Sequence, residues 1–164
     1  MLKADWLKIP LTGDWTSTDA KLAHRVYPMG LKEQQLIDET FDKMHKDNKM
    51  EWSREPTPFS FPVFVAWQTV YIDGKPVRKG RVVVDIRGLN KITIKDAYPL
   101  PNMSDIVAAA AGCPYISVID ARAFFHQFPV AEEDRHKFTI VSHRGTERYK
   151  VAIMGFKNSP PHVQ

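Results

Sequence analysis

The sequence predicts an α+β fold, because it contains one helical stretch and two strand pairs as separate periodic patterns. Apolar residues recur on one helical face from Leu31 to about Lys46. Two β-hairpins are indicated further along, one with its turn in 73–80 and the other around 143–146. The 164 residues are enough for one compact domain with a hydrophobic core.

The first hundred residues contain most of the recognisable elements. Residues 1–30 show neither helical nor strand periodicity and are expected to form an irregular lead-in. In the helix that follows, Ile37, Phe41 and Met44 share one face, which predicts packing against a core. Three prolines in 51–62 favour an extended connection. Strands are then predicted at Phe61–Ile72 and Arg81–Ile86, joined by a basic turn.

The second half alternates short elements. Residues 91–101 are expected to be extended, and Asn102 or Ser104 is expected to cap a short helix that ends at Gly112. The apolar run Tyr115–Ile119 predicts a buried strand that Asp120 closes, with a turn or short helix over 121–127. The second hairpin is expected to pair 136–142 with 147–153, and a further helix to begin near residue 158.

Composition narrows the class of protein. A formal net charge of +4 makes a polyanionic partner more plausible without requiring one. Cys113 is the only cysteine, which excludes an intramolecular disulfide and a cysteine-based zinc site. The chain shows neither a secretory signal nor a membrane-spanning run, so an intracellular protein, cytoplasmic or nuclear, is expected. Motifs typical of nucleotide hydrolases, serine hydrolases, zinc proteases and dinucleotide binders are absent.

Three features leave alternatives open when judged from the residues alone. Asp120 can cap the segment that follows it or can ligate Mg²⁺ through its carboxylate. The basic cluster Lys75, Arg78, Lys79 and Arg81 is either a solvated hairpin tip or a phosphate-binding surface. Phe125 is either a core aromatic or a site residue.

Four blocks, taken in order, resemble the reverse transcriptase of gypsy-class LTR retrotransposons. They are RVVVDIRGLN at 81–90, KDAYPLP at 95–101, SVID at 117–120 followed by FHQ at 125–127, and MGFKNSP at 154–160. The resemblance runs from about residue 31 to residue 164. The residues of the first and last blocks are especially similar to those of fungal elements. It implies an irregular segment at 1–30, a fingers region at 31–101 and the start of a ferredoxin-like palm at 102–164.

The resemblance also implies roles for individual residues. Asp120 corresponds to the first catalytic carboxylate, which holds Mg²⁺ together with the backbone carbonyl of Ala121. Arg81 corresponds to an arginine that grips the nucleotide triphosphate, and Phe125 to an aromatic gate against the ribose 2′-hydroxyl. Gly155 and Phe156 fall in the block that flanks the nascent base pair, and Gln164 lies towards the template. Asp85 and Arg87 are expected to form a structural ion pair.

Three departures qualify the resemblance. Where the family has a lysine in the first fingers strand, this chain has Gln68 or Thr69, with Lys75 or Lys79 as substitutes. Pro161 follows Pro160 where a small residue is usual. No Asp-Asp pair occurs in the sequence, although the family's Asp-Asp turn supplies two metal ligands, so the chain alone is expected not to polymerise DNA.

The implied function is therefore that of part of an RNA-directed DNA polymerase. Its implied partners are an RNA or DNA template with primer, dNTPs, and the remaining palm, thumb and RNase H regions of a polyprotein, and retroelement particles are one implied location. The alternative is a non-catalytic remnant or a co-opted module that binds nucleic acid or protein. An incomplete palm sheet predicts an exposed edge, an exposed apolar face, and marginal stability or self-association.

Overall fold

The computed structural model describes residues 3–163, with Ala4 described by its backbone alone. Its α-helices and strands are, in chain order, α1 (Leu31–Lys46), β1 (Met50–Trp52), β2 (Phe61–Ile72), β3 (Lys75–Val84), α2 (Arg87–Ile92), α3 (Met103–Ala110), β4 (Thr139–Ser142), β5 (Gly145–Tyr149) and α4 (Ser159–His162). Short 3-10 helices lie at Lys3–Asp5, Phe124–Gln127 and Glu132–Phe138. The expected α+β class is confirmed.

The five strands form one mixed sheet in the order β1-β5-β4-β2-β3. Neighbouring strands are antiparallel except for β2 and β4, which pair in parallel at Phe61–Ile140 and Pro62–Val141. The largest fully buried side chains of the core are aromatic: Phe41, Phe59, Phe61, Phe138 and Phe156. They come from α1, the sheet and the segments next to it, so one core joins both halves of the described chain.

Helix α1 has the bounds that its periodicity predicts. Ile37, Phe41 and Met44 are its buried residues, on the face that the spacing indicates. At its start, the Glu33 carboxylate accepts a hydrogen bond of 2.8 Å from the backbone N–H of Gly30. This bond satisfies a donor at the helix entrance that lacks an intrahelical partner.

The first hairpin is confirmed, but its turn is much shorter than expected. Ile72 pairs directly with Lys75, so the turn consists of Asp73 and Gly74 and the expected loop over 73–80 is wrong. Both turn residues have positive φ, 50° and 74°, and an Asp-Gly pair of this kind matches the twist of the flanking strands. Residues 75–80 are therefore free to continue β3, and the basic residues lie along a strand.

Most of the remaining predicted elements are present, but their bounds are shifted. The second hairpin pairs β4 with β5, and 136–138 belong to a 3-10 helix instead of a strand. Helices α3 and α4 lie where they were expected, and Asn102 caps α3 by accepting from the N–H of Ser104 at 3.3 Å. Strand β1 and helix α2 were not predicted. Within residues 3–163, no helix combines the length and apolar character needed to cross a membrane.

The irregular lead-in contributes to the core. Over its described residues, 3–30, the regular structure consists of the short 3-10 helix and isolated bridges, yet Leu7 and Ile9 are fully buried. The N–H of Ile9 donates to the carboxylate of Asp134 at 2.8 Å. The lead-in is thereby fixed to the 3-10 helix that contains Asp134, because a buried backbone N–H needs a hydrogen-bond acceptor.

The buried strand expected at Tyr115–Ile119 is wrong. The segment forms neither strand nor helix and pairs with no strand among the described residues, and its side chains are exposed. Tyr115 is 92% exposed and Ile119 is 94% exposed. An apolar run predicts a buried strand only if neighbouring strands supply hydrogen bonds and cover, and none of the described strands lies beside it.

Candidate nucleotide-binding cleft

The first hairpin presents two faces of different chemistry. From Val63 to Ile72, β2 pairs with β3 alone among the described strands, and side chains alternate between the faces. One face carries Phe64, Ala66 and Gln68 opposite Val83, Arg81 and Lys79. The other carries Val65, Trp67 and Thr69 opposite Val82, Gly80 and Arg78. The basic cluster of the sequence is thus divided between two surfaces.

A cleft of about 630 Å³ opens at the base of the Arg81 face. It is lined by Tyr27, Phe64, Val83, Val84, Asp85, Ile86, Arg87, Asn90 and Gly155. Phe64 and Val83 are a cross-strand pair and belong to the same face as Arg81, which is the next-but-one residue before Val83. The exposed Arg81 therefore lies directly beyond one wall of the cleft, whose surface combines apolar side chains with a few polar groups.

Asn90 attaches the 155–157 loop to this cleft. Its amide nitrogen donates to the carbonyl of Gly155 at 2.8 Å, and its amide oxygen accepts from the N–H of Lys157 at 3.0 Å. Gly155 has a φ of 91°, and the space where a Cβ would stand is open. Its backbone is thus accessible at the cleft without a side chain to obstruct a ligand.

Phe156 points away from the cleft. It is 1% exposed and packs edge-to-face against Phe138, with ring centroids 5.1 Å apart. The role implied for it, next to the nascent base pair, remains a prediction. In this structure it stabilises the loop from beneath by filling the core.

The expected Asp85–Arg87 ion pair is present at the cleft wall. Two guanidinium nitrogens of Arg87 donate to the two carboxylate oxygens of Asp85, at 2.8 and 2.7 Å. The hydrogen bond from the Arg87 side chain holds the pKa of Asp85 below its ordinary value. Asp85 also accepts from the backbone N–H of Arg87 at 3.3 Å, which fixes the turn from β3 into α2.

Asp120 and Ala121 lie on the exposed segment that follows Tyr115–Ile119. The two residues after them, Arg122 and Ala123, line a different cavity of about 640 Å³ that faces α1. Phe125 is half-buried and packs against the core, as the core-aromatic alternative predicts. Gly155 therefore lines one cleft with Arg81 beyond its wall, whereas the residues that follow Asp120 and Ala121 line another cavity. Gln164 lies outside the described residues.

The Mg²⁺ site implied by the resemblance is not formed by these residues alone. In the described part of the chain, no group of three or more His, Cys, Asp or Glu side chains is arranged to hold a metal ion. Asp120 offers one carboxylate and Ala121 one backbone carbonyl, whereas sites that handle phosphoryl groups with two metals need more carboxylate ligands. No reaction step through a metal follows from this donor set.

Asn90 and Tyr27 are among the cleft residues that the sequence analysis did not identify as site residues. Asn90 ends the block at 81–90, but nothing in its spacing indicates that its amide reaches Gly155, 65 positions away. Tyr27 belongs to the lead-in, where no periodic pattern or motif singles it out. Their contribution follows from tertiary contacts, which no local signal in the sequence encodes.

Comparison with known families decides the class of protein. The family described as reverse transcriptase (RNA-dependent DNA polymerase) matches residues 73–164, which is more than half of the chain. The chain belongs to the reverse transcriptase family. The match begins at the turn of the first hairpin and covers β3, Asp120 and Ala121, and the 155–157 loop.

Individual relatives of this reverse transcriptase chain are retrotransposon polyproteins. It is 29% identical to the retrovirus-related Pol polyprotein from transposon 297 of Drosophila melanogaster, over 91% of the chain and 14% of the polyprotein. It is 27% identical to that from transposon gypsy of the same organism, over 82% of the chain and 13% of the polyprotein. The transposon Tf2-3 polyprotein of Schizosaccharomyces pombe is 32% identical over 54% of the chain and 7% of its own length. The chain thus spans a small part of the relatives it matches.

Proposed function

We propose that this chain forms the fingers and the start of the palm of a gypsy-class, fungal-type retrotransposon reverse transcriptase. In this proposal, 1–30 is an irregular N-terminal lead-in, 31–101 is the fingers region and 102–164 begins the palm. The larger protein copies an RNA template into DNA by magnesium-dependent nucleotidyl transfer. The observation that carries the proposal is the strand register that places Arg81 beside the Gly155 cleft.

The cleft face suits an incoming deoxynucleotide. Arg81 is exposed, and its planar guanidinium can donate paired, charge-assisted hydrogen bonds to phosphate oxygens. Apolar walls at Phe64 and Val83 offer a surface for a base or sugar, while the open backbone at Gly155 permits close approach. Binding at this face positions the triphosphate, which is the main task of a protein in phosphoryl transfer.

The proposal assigns further roles to Asp120, Ala121 and Phe125, although their segment lies apart from the Gly155 cleft in this structure. We assign the Asp120 carboxylate and the Ala121 carbonyl as two of several ligands for Mg²⁺, with the remaining ligands supplied by the larger protein. Phe125 is assigned as the gate that favours deoxynucleotides over ribonucleotides, Phe156 as support for the nascent base pair, and Gln164 as a contact on the template side.

The exposed apolar segment supports the proposed partners. Tyr115, Val118 and Ile119 are each at least 88% exposed, which is costly for an apolar run unless another surface covers it. We propose that the rest of the polyprotein, including the remaining palm, thumb and RNase H regions, packs on this segment. A primer-template and dNTPs are the other partners, and the protein acts inside the cell, in the cytoplasm or nucleus or in retroelement particles.

Primer extension on an RNA template tests the proposal. The chain is expressed together with the coding sequence that continues its reading frame, as wild type and as the Asp120→Asn, Arg81→Gln and Arg78→Gln variants. Asp120→Asn is expected to abolish extension. Arg81→Gln is expected to raise the KM for dNTPs about tenfold or more, because charged hydrogen bonds to phosphate are lost.

Arg78→Gln is the matched control, since it removes the same charge from the opposite face of the same strand. It should leave the KM for dNTPs within about twofold of wild type. Full activity of the Asp120→Asn protein would refute the catalytic assignment. A wild-type protein that binds primer-template but never extends it would favour the non-catalytic alternative.

A further inference from the structure

The cavity that faces α1 has no part in the proposed function. Its volume is about 640 Å³, which is typical of cavities that hold small ligands. Its surface is rich in charged and titratable side chains from α1, from the connection to β1 and from the segment after Asp120. These residues are Glu39, Lys43, Asp47, Lys49, Arg122 and His126.

The positive charges of this cavity outweigh the negative ones. Glu39 and Asp47 are each four positions from Lys43, so this row combines two exposed carboxylates with one ammonium. Lys49 and Arg122 come from outside the helix and add two further cations. Within the described part of the chain, neither of these two side chains forms an ion pair or a hydrogen bond. Both are available to an anion, and Lys49 attracts it more strongly than an exposed lysine does because it is half-buried.

The backbone holds Arg122 at the cavity wall. The carbonyl of Arg122 accepts a hydrogen bond of 3.0 Å from the side-chain amide of Gln127. The next residue, Ala123, is in the left-handed region with a φ of 49° and a ψ of 47°, directly before the 3-10 helix that contains His126. This conformation is costly for a residue other than glycine, and such strain is concentrated at functional sites. The strained turn brings Arg122 and His126 to the same cavity.

His126 adds a side chain whose charge depends on its surroundings. Burial, and after it the ammonium of Lys49, lower the pKa of His126 below its ordinary value, so the imidazole is neutral at neutral pH. Tyr149 on β5 also faces it, with ring centroids 6.4 Å apart, and burial raises the pKa of this phenol, which therefore carries no charge. The charged groups that share the cavity with His126 are Glu39, Lys43 and Asp47 at α1, together with Lys49 and Arg122.

We propose that this cavity is a phosphate-binding site in which Lys49, Arg122 and His126 contact the phosphate oxygens. Arg122 donates paired hydrogen bonds from its planar guanidinium, and Lys49 contributes a point charge. A phosphate beside Lys49 offsets the ammonium charge and favours the imidazolium form of His126, so binding is accompanied by uptake of a proton from water. The site lies outside the Gly155 cleft and does not depend on the function proposed for that cleft.

Sulfate binding by the 164-residue chain tests the site, because sulfate keeps its two negative charges while the histidine titrates. Backbone amide shifts followed by NMR give the Kd, with sodium chloride at equal ionic strength as the reference. Lys49→Gln and Arg122→Gln are each expected to raise the Kd about fivefold or more. Lys46→Gln removes the same charge from an exposed position on α1 that does not line the cavity, and should stay within about twofold of wild type.

The histidine signals separate a contact in the cavity from a general effect of salt. Saturating sulfate is expected to raise the pKa of His126, read from its imidazole C–H shift, because the anion favours the protonated ring. His162 is the control: burial also lowers its pKa, but it lines another cavity, so sulfate should leave its pKa unchanged.

The pH dependence of binding follows from the same linkage. Since anion and proton favour each other at His126, sulfate should bind more tightly at about pH 5.5 than at about pH 8. His126→Gln keeps a hydrogen-bond donor that does not titrate, so its sulfate affinity should be nearly the same at both values.

Competition against sulfate identifies the source of the phosphate. Displacement by inorganic phosphate alone supports a small free phosphate as the ligand, and displacement by a short single-stranded oligothymidylate supports a phosphate of a nucleic-acid strand. The site is overturned if neither displaces sulfate or if the wild-type chain binds no sulfate. It is also overturned if Lys46→Gln weakens binding as much as Lys49→Gln does, or if sulfate raises the pKa values of His126 and His162 equally.

Discussion

At the scale of single residues, two asparagines hold neighbouring loops in place, one of which borders the cleft. Asn90 donates to Gly155 and accepts from Lys157, while the buried Asn158 donates to the carbonyl of Ile94 at 2.8 Å and accepts from the N–H of Asp96 at 3.0 Å. Each bridge needs a donor and an acceptor on one uncharged side chain, which only an amide provides at this length. Aspartate in either position would leave a carbonyl without its donor.

A close backbone approach makes Gly88 sensitive to substitution. Gly88 lies in the first turn of α2, and a Cβ added there would overlap the backbone carbonyl of Lys21 in the lead-in. Gly88→Ala is expected to lower the free energy of unfolding by about 1–3 kcal/mol, because the backbone must shift to relieve the overlap. Urea unfolding followed by circular dichroism measures the change.

Gly13→Ala is the control for the Gly88 experiment. A Cβ at Gly13 would meet nothing within 4 Å, and its backbone is not in the left-handed region. This variant should unfold at nearly the same urea concentration as wild type or a slightly higher one. Equal stability of the Gly88→Ala and Gly13→Ala proteins would show that α2 does not pack on the lead-in as described.

At the scale of elements, a buried charge cluster connects α1 to the second hairpin. The Glu147 side chain on β5 is fully buried, and one of its oxygens lies 2.8 Å from the imidazole of His45 and 3.3 Å from the guanidinium of Arg144. Arg144 also reaches Asp38 and Asp42 on α1, at 3.1 and 2.7 Å. The second hairpin is thus attached to α1 by the contacts of Arg144 with Asp38 and Asp42 and by the contact of Glu147 with His45.

Removal of Arg144 should damage this junction severely. In Arg144→Met, Glu147 would remain buried and lose its guanidinium partner, keeping only the hydrogen bond with the His45 imidazole in this cluster, and a buried carboxylate that has lost its cation is strongly destabilising. The expected loss is about 3 kcal/mol in the free energy of unfolding at neutral pH. Thermal and urea unfolding of the purified chain measure it.

Arg148→Met provides a comparison from the same hairpin. Arg148 pairs with Glu51 and Glu55, whose side chains are 31% and 74% exposed, so water replaces the lost partner. The expected cost is about 1 kcal/mol or less. If the two variants lose equal stability, burial of Glu147 does not set the strength of the junction.

The elements that the sequence predicts correctly are those in which local pattern and tertiary environment agree. Helix α1 has periodicity over several turns and keeps its buried face, and the first hairpin has a strand pattern over many residues and keeps its antiparallel pairing. Strand β1 is only three residues long, and its pairing with β5 depends on contacts almost 100 positions away. No local pattern of that length distinguishes a strand from a loop.

In the candidate site, too, some features could be predicted from the sequence and others depend on tertiary contacts. Motif order predicts Arg81 and Gly155 as site residues; in the structure Gly155 lines the cleft, and Arg81 is on the hairpin face whose Phe64–Val83 pair forms one wall. That Arg78 and Lys79 lie on opposite faces of the hairpin could be known only from the strand register. A turn over 73–80 and a turn of two residues would place the same side chains on different faces. The cleft wall contributed by Tyr27 required the packing of the lead-in.

At the scale of the whole molecule, exposed apolar surface is concentrated between residues 98 and 119. Tyr98, Leu100, Met103, Ile106 and Val107 are each about half or more exposed, and they precede the still more exposed 115–119 segment. Helix α3 has no buried residue. A surface of this kind on a soluble protein marks an interaction site or a source of association, because apolar area left in water is costly.

The isolated chain is therefore expected to self-associate through this surface, and charge placed there should prevent it. Ile119→Lys adds a solvated ammonium to a side chain that is 94% exposed, so it should lower the apparent association constant in sedimentation velocity without lowering the unfolding temperature. Thr16→Lys adds the same charge to an exposed position in the lead-in and should leave association unchanged. Association that falls equally in both variants would reflect net charge alone. A lower unfolding temperature for Ile119→Lys alone would mean that the side chain is buried in solution, which would contradict the exposed segment itself.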